Sequence, residues 1–222
     1  MSQTGSASGE SRVTVSVLDP ETAALVGLAA AIALGREELI AARSSEAVAA
    51  GVAPLWVDEL LLQSVLMLGY PRALVGAVVW RSATGISGPA SDPSSTESTA
   101  EWRTRGEATC RLIYGRNYDR LRDNVRMLHP ALDAWMVTEG YGRVLSRPGL
   151  DPARRELCTI AQIAMLGTER QLHSHLRGAL NAGATSAVLE EVLALVAPDL
   201  TEDLRSQMMR CWAGVTARRG AP

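Results

Sequence analysis

Three apolar segments in the first part of the chain are rich in Ala, Leu and Val and show no period-two alternation. Ala23–Leu34, Glu37–Ala50 and Leu55–Leu68 therefore read as three helices. Gly51 closes the second and Pro54 stands near the start of the third, the expected asymmetry of glycine after a helix and proline at its opening. The third ends at Gly69-Tyr70-Pro71, with a short helix over Arg72–Trp80 beyond it. At Ser82–Glu101 the pattern gives way to SATGISGPASDPSSTESTAE, a linker or long surface loop by composition. Periodicity returns in Tyr118–Met127 and Pro130–Val137, with Gly140 and Gly142 expected to end the latter. Asp151-Pro152 then offers an N-cap and a first-turn proline, and Leu157, Ile160, Ala161 and Ala164 recur at helical spacing until Gly167. Thr168 and Gln171 have the spacing of a capping box that opens a helix to Asn181, stopped by Gly183. Ser186–Val196 and Glu202–Thr216 complete the set. The pattern predicts an all-α protein.

The helical pattern repeats. Placing Gly51 on Gly183 puts Glu59 on Glu191, Ala47 on Ala179 and Arg43 on His175, and with one gap Leu34-Gly35 falls on Leu166-Gly167. Both stretches then read helix, Leu-Gly turn, helix, glycine turn, helix, as expected of a duplicated unit packing against its copy. The implied division is a first repeat over 13–81, a linker over 82–101 and a second unit over 102–217. A chain of 222 residues has room for this, and can bury roughly 70% of its unfolded surface without disulfides or structural metal.

Charge and composition narrow the function classes. A net charge of −2 removes the electrostatic case for nucleic acid or an anionic membrane surface. All 22 basic residues are Arg, which rules out a Schiff-base lysine. Cys110, Cys158 and Cys211 fit neither a disulfide framework nor a zinc pattern, pointing to a reducing, cytoplasmic setting. Met1–Glu10 is Ser/Gly-rich, with neither the basic start nor the apolar run of a secretory leader, and reads as a tail. The apolar run Ala23–Leu34 covers about 12 residues where a bilayer needs roughly 20, so no membrane span is expected.

Ionisable residues within apolar helices are the informative ones, because burying them is costly unless they are paired. Glu156 lies in the first turn of the helix carrying Leu157 and Ile160, and His175 shares a face with Leu172, Leu176 and Ala179, so these two form the leading candidate pair. A favourable first-turn acid and a satisfied core histidine are the bland readings of the same residues. His173 sits about 200° round the helix from His175, so the two cannot act as a zinc pair. His129 is most simply a helix-end residue before Pro130. Cys158 is a candidate thiol in an apolar neighbourhood that favours inert packing. Arg147, on the loop before the Glu156 helix, is a candidate carboxylate binder, although a solvated arginine is equally ordinary.

Tyr141-Gly142-Arg143-Val144-Leu145-Ser146-Arg147-Pro148-Gly149-Leu150-Asp151, then Arg155-Glu156-Leu157, Leu172-x-x-His175 and Ala179-Leu180-Asn181-Ala182-Gly183-Ala184-Thr185 resemble, in order and spacing, the carboxymuconolactone decarboxylase family. Leu61-Leu62-Gln63-Ser64 with Gly69-Tyr70-Pro71-Arg72-Ala73 looks like the end of a second copy. The resemblance implies two repeated helical units of the alkylhydroperoxidase D-like type, assembled as homotrimers (pseudo-hexamers) or hexamers. The peroxidase branch of that superfamily carries Glu, Cys-x-x-Cys and His, a register that falls on Glu156, Thr168, Gln171 and His175, so both sulfurs are missing. The decarboxylase branch keeps only Glu and His. It implies His175 as general acid/base, Glu156 as the group orienting it, Arg147 as anchor of a substrate carboxylate, and no metal or organic cofactor. The expected activity is a decarboxylase acting on a small carboxylated lactone or related acid. The competing readings are a non-catalytic scaffold or sensor of the same fold and, more weakly, a peroxidase using Cys158. In the first repeat Arg43 replaces the histidine and the glutamate position falls near Ala24, so that copy reads as scaffold.

Overall fold

The computed structural model describes residues 17–217; the Ser/Gly-rich start and positions 13–16 of the first repeat lie outside them. All of the regular structure among these residues is helical. The first unit comprises α1 (Pro20–Leu34), α2 (Glu37–Ala49) and α3 (Pro54–Thr84). A middle section follows, with α4 (Thr99–Tyr114), α5 (Tyr118–Leu128), α6 (Pro130–Trp135) and a π-helix over Met136–Leu145. The second unit comprises α7 (Pro152–Leu166), α8 (Glu169–Asn181) and α9 (Ser186–Val196), and α10 (Glu202–Ala217) closes the described chain.

The duplication is gap-free. Pro20 and Pro152, Leu34 and Leu166, Glu37 and Glu169, and Gly51 and Gly183 are all separated by the same interval, so the gap expected at the Leu-Gly turn is not needed. Local chemistry repeats with it. Asp19 and Asp151 both cap their helices by accepting from a backbone N–H three residues on, ahead of a first-turn proline. Gly35 and Gly167 end those helices at φ 67°, a left-handed conformation open to glycine without a Cβ penalty.

α1 is apolar on every side, the pattern of a helix enclosed by others. It packs against α7, α2, α3 and α9. Leu25, Leu28, Ile32, Ile40, Val57 and Leu60 of the first unit join Leu157, Ile160, Leu172, Leu176, Leu189 and Val192 of the second in one apolar core. Neither unit encloses a core of its own.

Two clasps lock the units reciprocally. Glu59 on α3 reaches the segment that enters α7, bonding Arg155 (2.7 Å) and Arg147 (3.0 Å). Its counterpart Glu191 on α9 reaches the segment that enters α1, accepting from the backbone N–H groups of Val17 (2.9 Å) and Leu18 (2.8 Å).

α3 is broken at Gly69 (φ 72°), where the sequence placed a Gly-Tyr-Pro turn, and its second arm runs on to Thr84. By length and apolarity α3, alone among the described helices, could cross a membrane. It is broken at Gly69 and turns buried Glu59, Gln63 and Ser64 toward α7, while much of its apolar surface is left exposed. The 82–101 stretch is more structured than a linker: it holds the end of α3, a 3-10 turn at Pro93–Thr96, and the start of α4, where Ser98 and Glu101 make a capping box.

The largest departure from the sequence reading is the π-helix. Gly140 and Gly142 do not end a helix; the chain winds through both to Leu145. A Cβ on Gly142 would stand 2.1 Å from the Trp102 carbonyl oxygen, and one on Gly106 2.0 Å from that of Val137. These glycines let α4 and the π-helix touch backbone to backbone. Of the pair, α4 lies across α8 of the second unit, while the π-helix backs α4 and touches α3 of the first.

Candidate functional site

Glu156 and His175 meet. The His175 Nδ1 lies 2.9 Å from Glu156 Oε2, with both side chains buried. α7 supplies the carboxylate from its first turns and α8 the imidazole from its inward face. Gly178, one turn beyond His175, makes the space: a Cβ there would come within 2.6 Å of both the Glu156 carboxylate and Ile113 of α4. A buried carboxylate needs partners to offset its lost hydration, and this pairing also fixes which imidazole nitrogen faces elsewhere.

The His175 ring lines a cavity of about 430 Å³. Its walls are mostly apolar, with Leu66 and Met67 from α3, Met136 and Leu145 from the π-helix and Ile163 from α7. The polar lining consists of His175, Thr168, Gln171, Tyr114 and Tyr141. Tyr114 and Tyr141 meet edge to face at 6.0 Å. Burial is the main reason both phenols are held above their ordinary pKa, with the nearby Glu156 carboxylate acting in the same direction, so both remain protonated donors.

Thr168 makes no side-chain cap on α8, and the expected capping box is absent. Thr168 and Gln171 face the cavity together with His175. The four positions on which the resemblance placed Glu, Cys, Cys and His thus converge at one place, with hydroxyl and amide where the sulfurs would stand.

Arg147 is elsewhere. Its guanidinium donates to Glu59 (3.0 and 3.2 Å), Asp92 (2.9 Å) and the Ser94 hydroxyl (2.7 Å), and it lines a different cavity, of about 570 Å³, between the Asp92 segment and α3. The carboxylates it binds are the chain's own, because the 82–101 stretch folds back onto it. Cys158 is fully buried, and burial pushes its thiol up to about 12, which leaves almost no thiolate for nucleophilic attack. His129 caps α6, its Nδ1 accepting from Ala131 N–H (3.0 Å). No cluster with the makings of a metal site occurs among the described residues.

Tyr114, Met136, Leu66 and Met67 were not singled out from sequence. They come from the middle section and the first unit, and only tertiary packing brings them to α8.

Residues 7–81 and 130–212 both match the carboxymuconolactone decarboxylase family. The chain belongs to that family. Each segment contains one of the two helical units, the second also taking in α6, the π-helix and most of α10, and the unmatched interval between them holds α4 and α5. Among relatives of the family, 4-carboxymuconolactone decarboxylase of Acinetobacter baylyi is 31% identical over 87 residues, 39% of this chain and 65% of that protein's length, so the chain spans just under two thirds of it. Peroxisomal protein 2 of Schizosaccharomyces pombe is 28% identical over 175 residues, 76% of this chain and 81% of that protein.

Proposed function

We propose that this chain is a cofactor-independent lyase of the decarboxylase type, acting on a small carboxylated lactone or related acid. The observation that supports this most is the buried Glu156–His175 hydrogen bond at the edge of an apolar cavity. With Nδ1–H donated to Glu156, Nε2 is left for the substrate. When the bond to the carboxylate breaks, carbon dioxide leaves and the electron pair delocalises into the lactone carbonyl. A proton carried on Nε2 then goes to carbon, giving the enol-lactone product. Glu156 stabilises the imidazolium before transfer and holds the ring in place throughout. The apolar walls exclude water from the electron-rich intermediate, and Tyr114, Tyr141, Thr168 and Gln171 offer neutral hydrogen bonds to the lactone oxygens.

The test is ultraviolet-monitored turnover of carboxymuconolactone by wild type and His175→Ala, with an organic hydroperoxide plus dithiol in parallel. Loss of about 10²- to 10⁴-fold in a variant that is still folded, though less stable for want of a partner to Glu156, is the expected result. No decarboxylation by wild type rejects the narrow substrate, and peroxide turnover rejects the reaction class.

A second reading, a scaffold or sensor of the same fold, is favoured by one observation: no arginine among the described residues lines the His175 cavity, so a carboxylated substrate meets none of their guanidinium groups there. We also propose assembly as a homotrimer or hexamer. Leu55, Leu62, Leu66, Leu74 and Val78 form an exposed apolar stripe along α3, and Leu66 lies at the His175 cavity, so a neighbouring copy covering the stripe would close that side. Sedimentation equilibrium tests this, with a monomer as the contrary outcome.

A further inference from the structure

Arginines in the middle section are mostly partnered. Arg111 pairs with Asp119 (3.8 Å), Arg122 with Asp133, and Arg126 with Asp123 (3.1 Å) and Asp133 (2.9 Å). Arg116, Arg120 and Arg177 have no carboxylate within ion-pair distance among the described residues. All three line one cavity of about 340 Å³, with Asn117, Asn181 and an apolar floor of Leu180 and Val215. A smaller cavity of about 100 Å³ shares Asn117, Arg177 and Asn181 with it and adds His173, Ser174 and Tyr114.

The turn into α5, α8 and α10 build this groove. Arg116 and Arg120 are one helical turn apart at the entry to α5, and Arg177 and Asn181 one turn apart on the outer face of α8. Asn181 ties α8 to the end of α4, just before the turn that carries Arg116, by donating to the Ile113 carbonyl (2.7 Å). Like charges spaced by four residues repel, and a third guanidinium facing them adds to the cost. The chain as a whole is slightly acidic, so the cluster is no by-product of an excess of base. An anion between the guanidinium groups would remove the repulsion and take their forked hydrogen bonds.

We propose that Arg116, Arg120 and Arg177 form a binding site for a small ligand bearing two or more negative charges, beside the Glu156–His175 cavity and divided from it by Tyr114. Tyr114 lines the smaller adjoining cavity and the His175 cavity, so a ligand end that passes Asn117 reaches a ring that also walls the His175 cavity. The site requires no catalysis at His175. Polycarboxylates and phosphate esters share the chemistry it recognises.

Isothermal titration with citrate and with pyrophosphate, at low and high salt, tests the assignment. Saturable one-site binding by wild type, weakening with salt, is expected for at least one of the two, and which one binds identifies the source of the charge. Arg120→Gln and Arg177→Gln should each weaken it at least about tenfold, while Arg177→Lys keeps the charge and loses only the fork geometry, giving a smaller loss. Arg210→Gln on α10, outside the groove, is the charge-matched control and should bind as wild type. All variants are first melted to confirm folding, and Arg116→Gln, at an exposed position, replaces any that fails. Neither anion binding, or Arg210→Gln weakening binding as much as the groove variants, overturns the proposal.

Discussion

The two helical units share boundaries, caps and turns at a constant interval, yet only the second holds a buried polar pair. At the first-unit positions matching Glu156, His175 and Gly178 stand Ala24, Arg43 and Glu46. Arg43 leans over Gly27 and pairs with Glu46 at 2.7 Å, at the surface. The difference lies in what covers each unit. α4 lies across α8 and desolvates the Glu156–His175 hydrogen bond, and with the π-helix behind it walls a cavity beside the pair, whereas nothing comparable among the described residues lies across α2. The fold was copied, and the chemistry depends on a layer that was not.

The comparison breaks most visibly at the two clasps. Glu59 is buried against Arg155 and Arg147, so Glu59→Ala leaves guanidinium charge without its partner in the core and is expected to cost about 3–5 kcal/mol. Glu191→Ala removes an acceptor from two backbone N–H groups near the surface, and the expected loss is about 1–2 kcal/mol. Urea denaturation of both variants checks the difference. Equal losses would mean that the two clasps are energetically alike despite their different burial.

Next comes the glycine that admits the pair. Gly178→Ala drives a methyl into the Glu156 carboxylate and Ile113, at an expected cost of about 1–3 kcal/mol along with a loss of any activity that depends on His175. The matching Glu46→Ala alters an exposed ion pair and should change stability by about 0.5 kcal/mol or less. Conversely, Ala24→Glu with Arg43→His, made in a His175→Ala background, should restore no turnover, because the first unit lacks the covering layer. Turnover in that variant would show that the residues suffice without it.

Much of this was legible in the sequence, and the misses share a cause. Helices α1, α2, α8 and α9 fall within a few residues of the periodicity reading, and Gly69 breaks α3 where Gly-Tyr-Pro stood, because propensity, caps and burial pattern agree locally. Glu156 and His175 could be singled out because ionisable side chains on apolar faces are costly. Gly140 and Gly142 were misread as terminators because glycine for close approach and glycine for chain reversal look the same in one dimension. Thr168 and Gln171 fitted a capping spacing that the backbone does not use. Arg147 had the right composition for an anchor, but its partners Glu59 and Asp92 lie far off in sequence, and no local pattern announces them.

A milder test swaps one unit's core residue for the other's. Cys158 corresponds to Val26, and both are fully buried. Cys158→Val should cost less than about 1.5 kcal/mol, as expected of a near-isosteric exchange. With its thiol pushed up to about 12, Cys158 should react with a disulfide reagent at neutral pH only as fast as the protein opens. Fast labelling of Cys158 in the native protein would revive the single-cysteine peroxidase.

The smallest expected effect concerns the segment that joins the first unit to α4. Asp92 ties the 3-10 turn at Pro93–Thr96 to Arg147, and the hydrogen bond from Arg147, helped by those from Ser94, brings its carboxyl down to about 2. A carboxylate whose folded pKa lies below its ordinary value near 3.8 contributes stability that is fully present above that value and is lost as pH falls toward 2. Because the Asp92 side chain is nearly half exposed, solvent screening limits the contribution to about 0–1 kcal/mol. Hydrogen exchange of Asp92–Thr96 should therefore quicken between pH 4 and 2 relative to the Gly51 turn of the first unit, once intrinsic exchange rates are divided out. In Asp92→Asn the same segment should exchange faster at pH 5 and lose that pH dependence. If wild type and the Asp92→Asn variant behave alike, the segment is held by Ser94 and Glu97 rather than by the Asp92 carboxylate, and the turn that leads into α4 is fastened independently of the Arg147 loop.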